Sequence, residues 1–387
     1  MKIRLERDVL ADAVAWAARS LPNRPSVPIL AGLLIKADSQ GVVLSSFDYE
    51  TSAQISVNAE VADEGEVLVS GRLLADISRS LPNKPVDIVA EESRLELVCG
   101  SARFTLQTLP VDEYPALPAM PESAGRIASA DFAEAVSQVV VAAGRDELLP
   151  VFTGVRMEID GDTLSLLATD RYRMALKEIT WQPDSPQAAG SALVQAKVLA
   201  ETAKSMTAGP AVTVSLAGSG SGSDGIIGFS GDGVGGVRET TTRLLDGDFP
   251  KVRHLMNIQP ALTVRADTAE LIAATKRVAL VAERNTSLRM MIDDDGIILE
   301  AATGDQAQAS EAIAATVDNL VGGEPAITAA GFNPGYLLDA LAVLDTPFVH
   351  FSFTAPGKPC LITGLAELDG EQLFDYRHVI MLMRLPG

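Results

Sequence analysis

Apolar residues recur along this chain in the same two rhythms, three times over. Leu10, Val14, Ala17 and Leu21 share one stripe of a helix predicted over 8–21. Phe132, Val136, Val139 and Val140 repeat that spacing within 131–143, and Leu271, Thr275, Val278 and Ala282 within 267–283. Asp8, Asp131 and Asp267 stand at the three predicted starts, where a carboxylate can cap free amides. After each helix the period changes to two. Segments 33–48, 155–170 and 290–305 each run from alternating strand residues through a polar or Asp/Gly turn into a second apolar strand. Gly32 and Gly154 are 122 positions apart, and so are Asp48 and Asp170. Asp170 and Asp305 are 135 apart, Asp131 and Asp267 136, so the spacings agree in pairs to within one residue and mark an internal repeat.

A second helix opens later in each unit, at Gly71-Arg72-Leu73-Leu74, Ala196-Lys197-Val198-Leu199 and Gly335-Tyr336-Leu337-Leu338. Strand-like runs follow each time. The pattern predicts an α+β protein: three tandem repeats of one domain, each with two helices packed on antiparallel sheets. The expected domains are 1–118, 123–251 and 258–387, with Pro-rich or polar linkers near 118–123 and 257–260. The run 218–225, GSGSGSDG, reads as a flexible hairpin tip.

Composition narrows the function. The 387 residues carry 51 acidic and 31 basic side chains, a net charge of −20. Such a field repels phosphate over most of the surface but leaves room for a local basic lining. Two distant cysteines, Cys99 and Cys360, exclude a disulfide framework and a structural zinc site, as expected in a reducing cytoplasm. The opening MKIRLERDVL lacks the apolar stretch of a signal peptide, and no apolar run reaches the length of a bilayer span.

Catalytic chemistry is hard to find. Residues 231–236 satisfy GxGxxG, but a strand-like VRETTTRLL follows where a dinucleotide site needs a helix, so a loop between strands is expected. No P-loop is present, and His254, His350 and His378 form no metal-binding spacing. Asp293-Asp294-Asp295-Gly296 lacks the alternating ligands of an EF-hand and reads as a hairpin turn. Asp48, Asp170 and Asp305 occupy equivalent places in separate repeats, too far apart to share acid–base work. No catalytic residue, metal or cofactor is predicted.

The threefold repeat, Arg24-Pro25-Ser26-Val27-Pro28-Ile29-Leu30, Ala168-Thr169-Asp170-Arg171-Tyr172-Arg173-Met174-Ala175, the Asp248-Phe249-Pro250 closure and the Met383-Arg384-Leu385 tail together resemble the bacterial β sliding clamps. These are the non-catalytic processivity subunits of replicative DNA polymerase III. The ending Pro386-Gly387 is similar to actinobacterial members. The resemblance implies a head-to-tail homodimeric ring of six domains, helices inside and sheets outside, encircling double-stranded DNA without reading its sequence. The six helical segments carry −1 over 85 residues and the remaining 302 carry −19, a bias in the direction such a lining needs.

Carried over by position, Arg24, Arg72 and Lys197, with Arg145 and Arg284, are implied to face DNA. A peptide groove is implied at Phe152, Thr169, Arg171, Tyr172, Arg173, Met174, Pro250, His254 and Leu255 with the tail Val379, Ile380, Met381, Leu382, Met383, Arg384 and Leu385. Its methionines and leucines suit an adaptable apolar pocket, and its arginines a peptide's polar end. Phe104 and Leu106 are implied to meet the region of Leu280 across the dimer seam. The implied partners are the polymerase catalytic subunit, the clamp loader, and other polymerases and repair proteins bearing short linear motifs, at replication forks in the cytoplasm and away from membranes. Many members of the family have a small residue and a histidine at Arg171 and Tyr172, and a proline at Leu382. Two other readings stand beside this one. A carboxylate-dependent hydrolase would need Asp48 clustered with other acids in one cleft. A monomeric peptide-binding scaffold would be separated from a clamp by its native mass.

Overall fold

A computed structural model of the chain describes residues 1–216, 225–283, 286–304, 306–325 and 327–385. Residues 218–224 of the Gly/Ser run, Asp305 and Pro386-Gly387 lie outside the described residues. Among those described, six α-helices come in three pairs: α1 (Arg7–Ala17) with α2 (Gly71–Ser80), α3 (Ser129–Val140) with α4 (Ala196–Ser205), and α5 (Thr268–Val278) with α6 (Pro334–Ala342). Each pair packs on antiparallel strands, because the predicted stripes are the buried faces. Leu10, Val14 and Ala17 are buried on α1, Phe132, Val136 and Val139 on α3, and Leu271, Thr275 and Val278 on α5. Phe132 stacks on Phe229 of the strand Ile226–Gly233 at 5.7 Å between ring centres. Removing a ring so placed costs about 3–5 kcal/mol.

The hairpins fall where the alternation put them, at Gly32–Asp38 with Gly41–Phe47, Gly154–Asp160 with Thr163–Thr169, and Leu288–Asp293 with Gly296–Thr303. The GxGxxG run is the turn joining Ile226–Gly233 to Gly236–Arg243. Asp293–Gly296 closes its hairpin as a turn.

Two details of the repeat differ from the sequence reading. The three aspartates at the helix starts are not equivalent. Only Asp267 caps, accepting from Glu270 N at 2.8 Å, whereas Asp8 and Asp131 sit inside the first turn and act on the helix dipole. The second helix of the third unit starts one residue earlier than the motif suggested. Asn333 caps it by accepting from Tyr336 N at 3.1 Å, so Leu337, not Leu338, matches the buried Leu74 and Leu199. Arg72, Lys197 and Gly335 thus share one position, two residues after the caps Ser70, Gln195 and Asn333.

The sheets do not stop at the ends of the units. Gly236–Arg243, the last strand of the second unit, pairs with Thr51–Val57 of the first. By the same rule Gln372–Ile380, the last strand of the third, pairs with Arg173–Thr180 of the second. Sheets of fourteen and nine strands therefore bridge the two junctions, and a four-stranded sheet ends the chain's third unit.

Candidate functional site

The tail is built into the second junction. After the strand Gln372–Ile380, Met381 N donates to Tyr172 O and Met383 N to Gly331 O, both at 2.8 Å, so the segment is pinned between the second and third units. Gly331 permits that approach: a Cβ there would lie 2.7 Å from Met383 O. A separate apolar cluster, including Leu167, Met174, Leu176, Phe249, Leu361 and Val379, forms a floor beside the tail.

The residues implied as a groove divide by depth. Arg171, Tyr172, His254 and Arg384 are exposed, and Phe152, Pro250, Leu255, Met381, Leu382, Met383 and Leu385 are half-buried. Thr169, Arg173, Met174, Val379 and Ile380 are buried and act only from beneath. Thr169 Oγ1 donates to Arg173 O at 2.7 Å and accepts from Arg171 N at 3.1 Å, while Ile380 packs into the core of the third unit.

The Asp170 turn explains the different fates of the two arginines. Asp170 Oδ1 accepts from the amides of Tyr172 and Arg173, both at 3.0 Å, which drives Arg171 into the left-handed region at φ 79°. Arg171 projects outward, its guanidinium 5.5 Å from the Phe152 ring and 5.9 Å from Tyr172. Arg173 turns inward. It ion-pairs with Asp170 at 3.0 Å and Asp339 at 2.6 Å and lies 4.3 Å over the Tyr336 ring. The expectation that both arginines face a ligand is corrected: Arg173 is spent on joining two units, and Arg171 is the exposed cation.

Below this network His378 Nδ1 meets the Tyr376 hydroxyl at 2.9 Å, and that hydroxyl donates to Gln138 O on α3. Burial, with Arg173 adding its charge, pushes His378 down to about 3, so it is neutral at ordinary pH. On the outer rim Arg253 bonds Glu158 at 2.7 Å and Glu178 at 3.1 Å. Burial alone would raise Glu158, but hydrogen bonds from Arg253 and Arg156 outweigh it and hold the carboxyl below its usual range.

Arg24, Arg72, Arg145 and Lys197 are all exposed, and Arg284 lies outside the described residues. Arg72 also bonds Pro22 O at 3.0 Å and Asn23 Oδ1 at 2.8 Å, holding the loop that carries Arg24. Leu280 is 84% exposed and Phe104 half-buried, but Leu106 is buried in its own core and offers a seam only its backbone. The strand Ala102–Leu109 leaves one edge unpaired over 102–107, and Ala307–Ile313 is the outer strand of its sheet.

Sequence reasoning missed Asn333, Tyr336, Asp339 and Gly331. The first three were within reach through the repeat, since they match Gln195, Val198 and Glu201 once the one-residue shift is made. Gly331 gave no signal. Among the described residues no three His, Cys, Asp or Glu side chains converge as a metal site, and no helix is long and apolar enough to cross a membrane.

Three family descriptions match the chain in order: DNA polymerase III beta subunit N-terminal domain over 1–118, central domain over 126–251 and C-terminal domain over 257–384. The beta sliding clamp of Streptomyces coelicolor is 54% identical over 100% of both chains. The beta sliding clamp homolog GriR of Streptomyces muensis is 38% identical over 99% of both. A sliding clamp (DNA polymerase III subunit beta) from Pseudomonas aeruginosa, solved bound to griselimycin, superposes with a TM-score of 0.88 at 26% identity over 100% of both chains.

Proposed function

The chain belongs to the DNA polymerase III beta subunit family, the β sliding clamps, and we propose that it closes head-to-tail with a second copy into a ring that slides on duplex DNA. One observation carries this reading. At both internal junctions the last strand of a domain pairs with the same strand of the domain before it. Applied once more, that rule joins Ala102–Leu109, the last strand of the first domain, to Ala307–Ile313, the matching strand of the third domain in another copy. Among the described residues both edges are open. Two chains then give six like junctions, and the row of domains closes on itself with these two edges covered.

A ring holds DNA by topology, so its lining needs steering charge and no base readout. Arg24, Arg72, Arg145 and Lys197 are the basic positions we assign to that lining, with Arg284 by resemblance. We assign the groove between the second and third domains to linear peptides of polymerases, the clamp loader and repair proteins. Phe152, Pro250, Leu255 and Met381 supply its apolar walls, and Arg171, Tyr172 and His254 its rim. The domains run 1–118, 123–251 and 258–387, and the work is done in the cytoplasm at replication forks.

Loading by the cognate ATP-driven loader onto closed circular plasmid, compared with the same plasmid linearised, tests the ring. Retention on the circle and loss from the line is the expected result. Equal retention on both, weakened strongly by salt, would replace the ring by ordinary electrostatic binding.

A further inference from the structure

The cleft between the second and third domains has a twin between the first and second. Asp48, Thr51, Lys197, Val198 and Glu201 line a cavity of about 360 Å³ there, with Trp16 in its wall. Adding 122 to the first-domain numbers and 138 to the second-domain numbers gives Asp170, Arg173, Gly335, Tyr336 and Asp339. Those five line a cavity of about 340 Å³ at the next junction. The backbones agree as well. Asp48 Oδ1 accepts from the amides of Glu50 and Thr51 as Asp170 does from Tyr172 and Arg173, and Tyr49 takes φ 75° where Arg171 takes 79°.

The two clefts differ at the centre. In the second, one buried guanidinium joins the two carboxylates and lies on an aromatic ring. In the first, Thr51 occupies the arginine's position and is too short to reach either acid. Both acids are retained, as Asp48 and Glu201. Among the described residues neither forms an ion pair, since Arg19 lies over the Trp16 ring at 5.4 Å and Lys197 is exposed.

We propose that the cleft between the first and second domains binds an arginine side chain presented by a peptide segment of a partner protein, its guanidinium seated between Asp48 and Glu201 as Arg173 is seated between Asp170 and Asp339. The planar fork suits two carboxylates approached from different sides, and Val198 receives its apolar stem. Three acids, Asp48, Glu50 and Glu201, face this space against two cations, Arg19 and Lys197, so the balance of charge favours a cationic group over phosphate. This site follows from the internal repeat, whether or not the groove beside the tail takes peptides.

Fluorine NMR on the full-length protein labelled with 5-fluorotryptophan tests this. The chain has two tryptophans: Trp16 lines the cleft, and Trp181 is buried elsewhere with its indole donating to Gly161 O. The probe is arginine blocked at both ends, compared with blocked citrulline, which has nearly the same shape and no charge. Arginine is expected to move the Trp16 signal saturably and leave Trp181 unmoved, with an affinity at least about tenfold above citrulline, as a charge-assisted contact gives. Glu201→Gln, a change at a partly exposed helix position, should abolish that preference. Thr51→Arg should abolish binding by filling the cleft from within. An equal response to citrulline, a preference that survives Glu201→Gln, or no shift at Trp16 would each overturn the proposal; Glu201→Gln decides even if Thr51→Arg fails to fold.

Discussion

The junction between the first and second domains and the junction between the second and third share a backbone and divide their side-chain chemistry. At the first, Arg238 reaches back across the boundary, bonding both oxygens of Asp12 at 2.8 and 2.6 Å, donating to Ser205 O and lying 5.2 Å from the Trp16 ring. At the second the corresponding residues are Tyr376, Glu134 and Gln138. The boundary there is held by Lys177, which bonds Glu134 at 3.1 Å and Asp375 at 2.7 Å, and by Arg173 bridging to Asp339. Main-chain ladders set the geometry at both places, so the side chains were free to diverge. One junction has its two acids bridged by Arg173 and is pinned by the tail, and the other keeps Asp48 and Glu201 unbridged.

Removing each cation should separate the two. Arg238→Ala leaves Asp12 half-buried and the indole uncovered, and is expected to cost about 3–5 kcal/mol in urea unfolding. Arg173→Ala should cost less, about 2–4 kcal/mol, because Asp339 is 46% exposed and can be rehydrated. A loss below 1 kcal/mol for Arg238→Ala would mean that strand pairing alone holds the first junction.

Acid should then distinguish the domains. The only histidines are His254, His350 and His378, so no histidine lies in the first domain. Burial pushes His350 down to about 4, as it pushes His378 to about 3. Below pH 6.5 the unfolded chain binds protons that the folded third domain refuses. Stability is therefore full above about pH 6.5, falls as pH drops, and levels near 4 for His350 and 3 for His378. The slope is about 1.4 kcal/mol per pH unit for each histidine. Calorimetry at pH 7 and 4.5 should show the third domain losing stability most, and His378→Asn should flatten that loss. An equal loss in all three domains would assign acid lability to the carboxylates instead.

Smaller effects sharpen the contrast. Lys177→Met should cost about 1–2 kcal/mol, since both its acids are about half-exposed and regain water. Arg171→Ala should leave stability within about 0.5 kcal/mol, because its guanidinium is exposed. The same change should weaken a groove peptide by about fivefold, the worth of an exposed cation–π contact. Fluorescence anisotropy with a labelled peptide reads the second effect, and unchanged binding would remove Arg171 from the rim.

Much of the fold was legible from local pattern. The helical stripes, the three hairpins, the turn roles of Asp48 and Asp170 and the strand-to-strand turn at residues 231–236 all depend on neighbours within a few positions. The site was legible only as a set of positions. Thr169, Met174 and Val379 were implied as lining residues by resemblance alone, yet each lies in a stretch of strand buried on both faces and acts from beneath. Arg173 looked like Arg171 because both are arginines in one motif, yet the Asp170 turn sends them opposite ways.

The sequence by itself determined that there are three like α+β units, where their helices and hairpins fall, and which family they resemble. Periodicity and turn chemistry are short-range and survive in a linear reading. Only the tertiary structure decided that Asp170 and Asp339 share one arginine while, among the described residues, Asp48 and Glu201 have none. It also decided that Gly331 admits the tail and that, among the described residues, Ala102–Leu109 and Ala307–Ile313 each keep an open edge. Those outcomes depend on registers between strands far apart in the chain and on whether a side chain is long enough to cross a junction, quantities that no local spacing encodes.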